Sequence, residues 1–265
     1  MVSSNKNQGI CNICGAWKSL SFEHVPPRSA LNKQKVLFTS AERYWNSGPG
    51  QGRKATGQEY KRGYGKTSIC ENCNNFAGRW YVPAFARWCQ QAMQFWENSG
   101  GRSSVYHFTT LSPLPVIKQI ATMFLALHGD EFAGPNRESL RQFVLDRRMS
   151  GLPPAIRFWV YYVAPGPMRN TPVCGVFNIF TGTATIGTEF SFPPFGYMVT
   201  FNSEPEAKHR LTEITHFTRY GESQITQLAL SLEQLATHGP TLGDYRSFAD
   251  MSHTTSDPNV VLSFP

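Results

Sequence analysis

Two CxxC pairs limit the folds open to this chain more than any other pattern in it: Cys11 with Cys14, and Cys70 with Cys73. Each CxxC turn can direct two sulfurs toward one metal ion, so four thiolates at this spacing are typical of a tetrahedral structural zinc (Zn²⁺) site. One shared ion would join two segments that lie far apart in sequence. We therefore expect residues 1–98 to form a small zinc-bound domain.

An acidic residue and a histidine, Glu23 and His24, lie between the two pairs and are followed by Val-Pro-Pro. Histidine can act as a general base near neutral pH, and carboxylate and amide oxygens suit a hard cation such as Mg²⁺ or Mn²⁺. Asn74 or Asn75, just after the second pair, would supply the amide. Adjacent side chains of a strand point to opposite faces, so both can reach one site only where the prolines break the strand. This combination predicts a site for phosphodiester hydrolysis.

The net charge of +7 is concentrated in the segment that carries the cysteine pairs. Residues 1–100 hold 13 Lys or Arg against 5 Asp or Glu, whereas the rest of the chain is nearly balanced. A polyanion is the natural partner of such a segment, and we expect DNA, with RNA left open. The glycine-rich stretch 46–66 is predicted to be a basic loop. Phosphate contacts are expected from Arg28, Arg53, Lys54, Lys61, Arg62, Lys66 and Arg79.

The rest of the chain predicts a run of helices followed by a run of strands, which is typical of an α+β fold with a mostly antiparallel sheet. We expect a second α+β domain over 105–240, with a regulatory, sensor or oligomerisation role left open, and a C-terminal tail over 241–265. Apolar periodicity predicts helices over 70–80, 84–96, 114–127 and 136–148. Alternating patterns predict strands over 19–24, 156–163, 173–180, 184–190, 196–201, 211–219 and 225–232.

The remaining cysteines and the apolar stretches indicate the compartment. Cys89 and Cys174 are single and lie in apolar surroundings, so we expect buried thiols rather than a disulfide scaffold. The longest apolar stretches are too short to span a bilayer, and the N-terminus is short and polar. We therefore expect a cytoplasmic protein without a membrane partner, in a compartment where CxxC pairs bind metal.

The order CNIC, EHVPP, a long basic stretch and CENCNN resembles the HNH endonuclease family of the ββα-metal superfamily, over residues 11–80. The resemblance implies a ββα fold with a four-cysteine zinc site and one catalytic Mg²⁺ or Mn²⁺. By the same resemblance, His24 is the general base, and Glu23 with Asn74, or with Asn75, holds the cation. The family's middle asparagine has no clear match before the second pair, where residues 65–68 read Gly-Lys-Thr-Ser.

Two functions remain open at this point. The first is a metal-dependent DNA endonuclease, in which case the family resemblance implies a bacterial antiphage-defence or mobile-element effector. The second is a zinc-stabilised nucleic-acid-binding protein without catalysis. In either case, residues 105–240 could support a homo-oligomer or bind a regulatory partner.

Overall fold

The computed structural model describes residues 7–46, 56–100, 102–129, 132–163, 168–205, 208–235 and 260–263. The helices are α1 (Ala41–Asn46), α2 (Glu71–Trp80), α3 (Val82–Ser99), α4 (Pro113–Leu127) and α5 (Arg137–Leu145). Short 3-10 helices cover Arg28–Ala30, Gly134–Asn136, Lys208–Arg210 and Thr215–Arg219. The first strands are β1 (Gln8–Ile10), β2 (Trp17–His24), β3 (Val36–Ser40), β4 (Gln58–Tyr60), β5 (Gly65–Cys70) and β6 (Ser104–Leu111). The later strands are β7 (Ile156–Val163), β8 (Met168–Asn170), β9 (Cys174–Asn178), β10 (Thr183–Phe192), β11 (Phe195–Phe201), β12 (Thr212–Glu213), β13 (Thr226–Leu232), β14 (Gln234–Leu235) and β15 (Val260–Ser263).

The first region of the chain, where we expect a domain over residues 1–98, contains a small antiparallel sheet in the order β1-β2-β5. Helix α2 follows directly after β5. In the β2–β5 pair, Glu23 faces Lys66 and His24 faces Gly65. A side chain at position 65 would place its Cβ atom 2.1 Å from the carbonyl oxygen of Glu23, so only glycine allows this approach. Two antiparallel strands followed by a helix thus surround the cysteine pairs.

A larger, mixed sheet has the order β12-β7-β11-β10-β8-β15-β3-β4. Most of its pairs are antiparallel, which confirms the predicted α+β class. Two strands pair in parallel: β14 with β7, and β15 with both β3 and β8, between which it lies. Residues 260–263 of the expected tail therefore belong to the sheet, while residues 241–259 lie outside the described part of the chain.

The buried core is continuous across the expected domain boundary. One cluster of buried apolar side chains runs from Cys11 to Leu232 and includes residues of both regions. Helix α4 is buried along all fifteen of its residues, which explains why its sequence is apolar around the whole helix. Across the described residues, no helix has both the length and the apolar character that crossing a membrane requires.

Several elements follow the sequence pattern closely, two elements differ, and one cysteine is less buried than expected. The helices over 84–96 and 114–127 and the strand over 156–163 are confirmed. The loop predicted over 46–66 was wrong in part, because β4 lies within it and pairs with β3, and the start of β5 lies within it and pairs with β2. The strand predicted over 211–219 was also wrong: β12 covers two residues, after which Phe217 turns into the core in a 3-10 helix. Cys89 is buried as expected, whereas Cys174 is only half-buried.

Side chains of the first region cap the C-terminal end of α4. The ammonium of Lys66 donates to the Leu127 carbonyl at 2.8 Å, and the Ser68 hydroxyl donates to the Ala126 carbonyl at 2.6 Å. The Asn12 amide donates to the His128 carbonyl at 2.9 Å. The last carbonyls of a helix lack partners inside the helix, and a cation there also interacts well with the helix dipole. These contacts join the two regions at one helix end.

His128, which follows α4, is expected to make the protein less stable in acid. Burial, aided by nearby Lys66, lowers the pKa of His128 to about 3. The unfolded chain, with a histidine pKa near 6.5, therefore takes up a proton that the folded chain excludes. This histidine should cost about 2–3 kcal/mol of stability between pH 7 and pH 4.5.

The measurement is denaturant unfolding of the wild type and of His128→Gln at both pH values. Glutamine can keep a hydrogen bond to the Thr188 hydroxyl, which lies 3.0 Å from the imidazole Nε2. The wild type should lose more stability than the variant on acidification. An equal loss in the two proteins would contradict the assignment of this effect to His128.

Candidate functional site

The four cysteines of the CxxC pairs meet at one point. Their sulfur atoms all lie within 4.8 Å of one another, and the Sγ atoms of Cys14 and Cys70 are 3.9 Å apart. Tetrahedral zinc with bonds of about 2.3 Å holds its sulfurs about 3.8 Å apart, so the arrangement fits a metal ion of this kind. In the part of the chain that the structure describes, no other group of three or more His, Cys, Asp or Glu side chains lies close enough together to bind one metal ion.

Local backbone geometry positions the sulfurs. The first pair sits on a tight turn in which the Gly15 amide donates to the Cys11 carbonyl at 2.9 Å, and the positive φ of Gly15, 73°, favours glycine there. In the second pair, Cys70 precedes α2, and its amide donates to the Cys11 sulfur at 3.2 Å. The hydrogen bond from the Cys73 thiol lowers the pKa of Cys11 to about 4, and the same bond raises the pKa of Cys73. A thiolate is thus already favoured at Cys11, as metal binding requires.

Helix α5, from the second region of the chain (the domain expected over residues 105–240), contacts the turn that carries Cys11 and Cys14. The guanidinium of Arg141, on α5, donates to the carbonyls of Asn12 at 3.1 Å and Cys11 at 3.2 Å. Gly15 leaves room for this arginine, because a Cβ there would lie 3.0 Å from its terminal nitrogen. The turn therefore packs directly against α5.

Glu23 lies at the end of β2 and is almost fully buried, with 7% of its surface exposed. Burial raises the pKa of this carboxyl to about 7, and a hydrogen bond from Asn74 opposes that shift. A buried carboxyl group with one polar neighbour is costly unless a cation or further donors compensate. The position is therefore unusual for a residue with a purely structural role.

His24, the last residue of β2, is half-buried and has a fixed orientation. Its Nε2 lies 3.1 Å from the carbonyl oxygen of Arg62, and its ring contacts Phe22 edge-on with centroids 5.0 Å apart. A carbonyl can only accept, so Nε2 carries the hydrogen and Nδ1 keeps its lone pair. Burial lowers the pKa of His24, the hydrogen bond to the Arg62 carbonyl opposes this shift, and Arg28 lowers the pKa slightly further, so the net shift favours the neutral imidazole. The Nδ1 atom of His24 is therefore available to accept a hydrogen bond or a proton.

The two asparagines after the second pair differ in position on α2. The amide nitrogen of Asn74 points at β2, lying 3.2 Å from the Ser21 hydroxyl and 3.4 Å from the Phe22 carbonyl, and Asn74 is close enough to bond Glu23. Asn75 is exposed. Asn74 is thus the asparagine that α2 brings to the acidic residue. A cation shared with Glu23 would require its amide to turn so that the oxygen faces the carboxylate.

Asn32 holds the loop behind this site together, and sequence reasoning missed it. Its buried amide donates to the Pro26 carbonyl at 2.6 Å and to the Tyr64 carbonyl at 2.7 Å, and it accepts from the Tyr64 amide at 2.8 Å. These bonds fix the chain just after His24 to the chain just before Gly65. The signal available in the sequence was an asparagine eight positions beyond the Glu-His pair, within the apolar start of the loop.

Replacing Asn32 with leucine is expected to destabilise the fold by about 3–5 kcal/mol. The Pro26 carbonyl and the Tyr64 amide lose the Asn32 side chain as partner, and the Tyr64 carbonyl keeps only its bond from the Val25 amide. Chemical denaturation of the variant measures this loss. Asn75→Leu, at an exposed position two residues beyond Cys73, is the control and should change stability by less than about 0.5 kcal/mol. Equal stability of the two variants would contradict the role of Asn32.

The basic residues expected to bind phosphate are placed differently from one another. Lys61 and Arg62 are exposed in the turn between β4 and β5, and Arg28 is exposed beside His24. Lys66 exposes part of its side chain, but its ammonium caps α4, and burial there lowers its pKa. The guanidinium of Arg79 lies over the ring of Trp80, 4.9 Å from its centroid. Arg53 and Lys54 lie outside the described residues.

Comparison with known proteins adds no relative: no protein-family model, no curated protein and no solved structure matches this chain.

Proposed function

We propose that this chain is a metal-dependent endonuclease that hydrolyses phosphodiester bonds in DNA. The observation that carries the proposal is His24: a neutral, half-buried imidazole whose Nε2–H is held by the Arg62 carbonyl. His24 follows the buried carboxyl group of Glu23, and both residues lie at the end of β2, the strand that begins after the first cysteine pair of the cluster. A base, an acidic ligand and a structural metal in this order suit the hydrolysis of a phosphate ester.

His24 would take the proton from the attacking water at its Nδ1. The carbonyl of Arg62 keeps the ring in place and in the correct tautomer, and it stabilises the imidazolium that forms after proton transfer. The depressed pKa keeps the imidazole unprotonated at neutral pH. Asn32 supports this arrangement indirectly, because it fixes the backbone on both sides of the His24–Gly65 pair.

Glu23 and Asn74 would hold Mg²⁺ or Mn²⁺. The cation, when bound, would neutralise charge on the scissile phosphate and stabilise the leaving oxygen. Mg²⁺ usually keeps several waters and needs only one or two protein ligands, so one carboxylate and one amide are sufficient. The buried Glu23 carboxyl has a pKa of about 7 without a cation, and a nearby positive charge would favour its ionised form.

Zinc, in this proposal, is structural and has no part in the chemistry. Bound by Cys11, Cys14, Cys70 and Cys73, it would fix α2 against the β1–β2 segment, and therefore Asn74 against Glu23. Four sulfur ligands leave no open position for water, which is the mark of a structural site.

A second candidate is a zinc-stabilised nucleic-acid-binding protein without catalysis. The orientation of Asn74 favours it, because the amide nitrogen and not the oxygen points toward β2 and Glu23. A protonated Glu23 bonded to Asn74 would then be a structural contact. The positive charge of residues 1–100 supports nucleic-acid binding under either candidate.

The deciding experiment is incubation of the purified, zinc-loaded protein with supercoiled plasmid in the presence of Mg²⁺ or Mn²⁺. Conversion to nicked or linear DNA that needs the added cation supports the endonuclease. Binding without cleavage in either cation supports the second candidate. Parallel reactions with single-stranded DNA and with RNA decide which nucleic acid is the substrate.

A further inference from the structure

A cavity of about 370 Å³ lies beside the candidate site, between the two regions of the chain. Its walls come from β3, β4, β5 and the turn between β4 and β5, from the end of α4, and from the end of β8 with the segment after it. Gly65 in its wall is the cross-strand partner of His24. Small-molecule sites in proteins have volumes of roughly 300–1,000 Å³, so the cavity is large enough for one nucleotide. The residues that define it for this argument are Tyr60, Tyr64, Lys66, His128 and Asn170.

A row of aromatic rings leads from His24 to this cavity. Phe22 contacts the imidazole of His24, with centroids 5.0 Å apart, and also contacts Tyr60, with centroids 6.3 Å apart. Tyr60 in turn contacts Tyr64 inside the cavity, with centroids 5.4 Å apart. Phe22 is 41% exposed, which is unusual for a phenylalanine in a well-packed strand pair. Unpaired bases stack on exposed rings of this kind.

Hydrogen-bonding groups and charge along this row suit a nucleotide. The Asn170 amide nitrogen donates to the Tyr64 hydroxyl at 3.1 Å, which leaves the Oδ1 atom of Asn170 buried with no hydrogen-bond partner among the described residues. A buried acceptor without a donor is costly, and Asn170 itself is half-buried and lines the cavity. A rotation of its amide that turns Oδ1 into the cavity would let this oxygen accept from an N–H group of a ligand. Lys61 and Arg62, directly after Tyr60, are exposed and can contact the phosphates of a strand that passes over the rim.

We infer that this cavity receives an unpaired, amino-bearing base of the nucleic-acid strand that is bound for cleavage, with the neighbouring base stacked on Phe22. The substrate is then single-stranded nucleic acid, or a duplex with locally unpaired bases. The inference rests on the proposed function, since it names the substrate class of the same site. A free nucleotide presents the same chemistry, and the test below separates the two sources.

The test is binding of fluorescein-labelled 12-mers to the full chain without added Mg²⁺ or Mn²⁺, measured by fluorescence anisotropy. Oligo(dA) and oligo(dC) should bind about ten-fold more tightly than a duplex of equal length. They should also bind more tightly than oligo(dT), whose base has no amino group. Phe22→Leu and Tyr60→Leu should each weaken single-strand binding by about 5- to 10-fold and change duplex binding little.

Phe180→Leu is the matched control, because Phe180 is 92% exposed in the turn between β9 and β10, away from the lining of the cavity. Equal single-strand affinities of Phe22→Leu, Tyr60→Leu and Phe180→Leu would overturn the inference. Displacement of the oligonucleotide by micromolar AMP or CMP would overturn the inference that the base comes from a strand, and it would assign the cavity to a free nucleotide. Because binding is measured without cleavage, a protein that binds as described but never cleaves overturns the proposed function alone, and the cavity is then a site for an unpaired base in a binding protein.

Discussion

His24→Ala is expected to lower cation-dependent cleavage by about 10²- to 10⁴-fold, which is the usual contribution of a general base. The variant loses the nitrogen that accepts the proton of the attacking water, while the cysteine cluster and Asn32 stay in place. Its zinc content and unfolding temperature should therefore remain close to those of the wild type. Initial rates of plasmid conversion, with zinc measured by elemental analysis on the same preparation, give the result.

His107→Ala is the matched control for this variant, because His107 is an exposed histidine on β6, outside the candidate site. It should cleave at the wild-type rate. Undiminished cleavage by His24→Ala would reject the assignment of His24 as the base. A wild-type protein with no activity to lose would favour binding without catalysis.

Cys70→Ser is expected to have the largest effect on stability. Zinc bound to four cysteines contributes to folding directly, and apparent binding free energies of such sites reach roughly 10–16 kcal/mol. Serine keeps the backbone amide that donates to the Cys11 sulfur, so the substitution tests the loss of the Cys70 thiolate as a metal ligand. The variant should lose its zinc, and its unfolding temperature should fall by more than about 10 °C, since 1 kcal/mol shifts a chain of this size by about 2–4 °C.

Cys89→Ser provides a close control, because Cys70 and Cys89 are each 3% exposed and both substitutions bury a hydroxyl. Cys89→Ser should keep one zinc per chain and unfold within a few degrees of the wild type. Should Cys70→Ser retain both its zinc and its unfolding temperature, the cysteine cluster would not be the structural metal site.

Local sequence patterns predicted the parts of the fold that depend on local periodicity. Helix α4 and strand β7 follow from apolar spacing alone. The segment 211–219 shows the limit: its β-branched and aromatic residues suit a strand, but its pairing with β7 ends after Glu213, and Phe217 is buried in the core instead. Tertiary packing decides the secondary structure of such segments, and the strand propensity of the residues carries no information about that packing.

The candidate site was predictable where its residues are close in sequence or form a known spacing. The cysteine pairs, Glu23, His24 and Asn74 all follow from the sequence as candidates. Asn32 does not, because its partners at Pro26 and Tyr64 become neighbours only once β2 and β5 pair. The capping of α4 by Lys66 was also hidden, since a lysine in a basic stretch predicts a phosphate contact equally well.

Strand β15 has a consequence for the synthesis of the protein. It lies between β3, from the start of the chain, and β8, so that Val260 pairs with Leu37 and Val261 pairs with Met168. During translation, β3 leaves the ribosome long before residues 260–263 exist, and closing a loop of that length is slow. The growing chain therefore carries its metal-binding segment without a finished sheet behind it. The large sheet can therefore join β3 to β8 only after residues 260–263 have been synthesised.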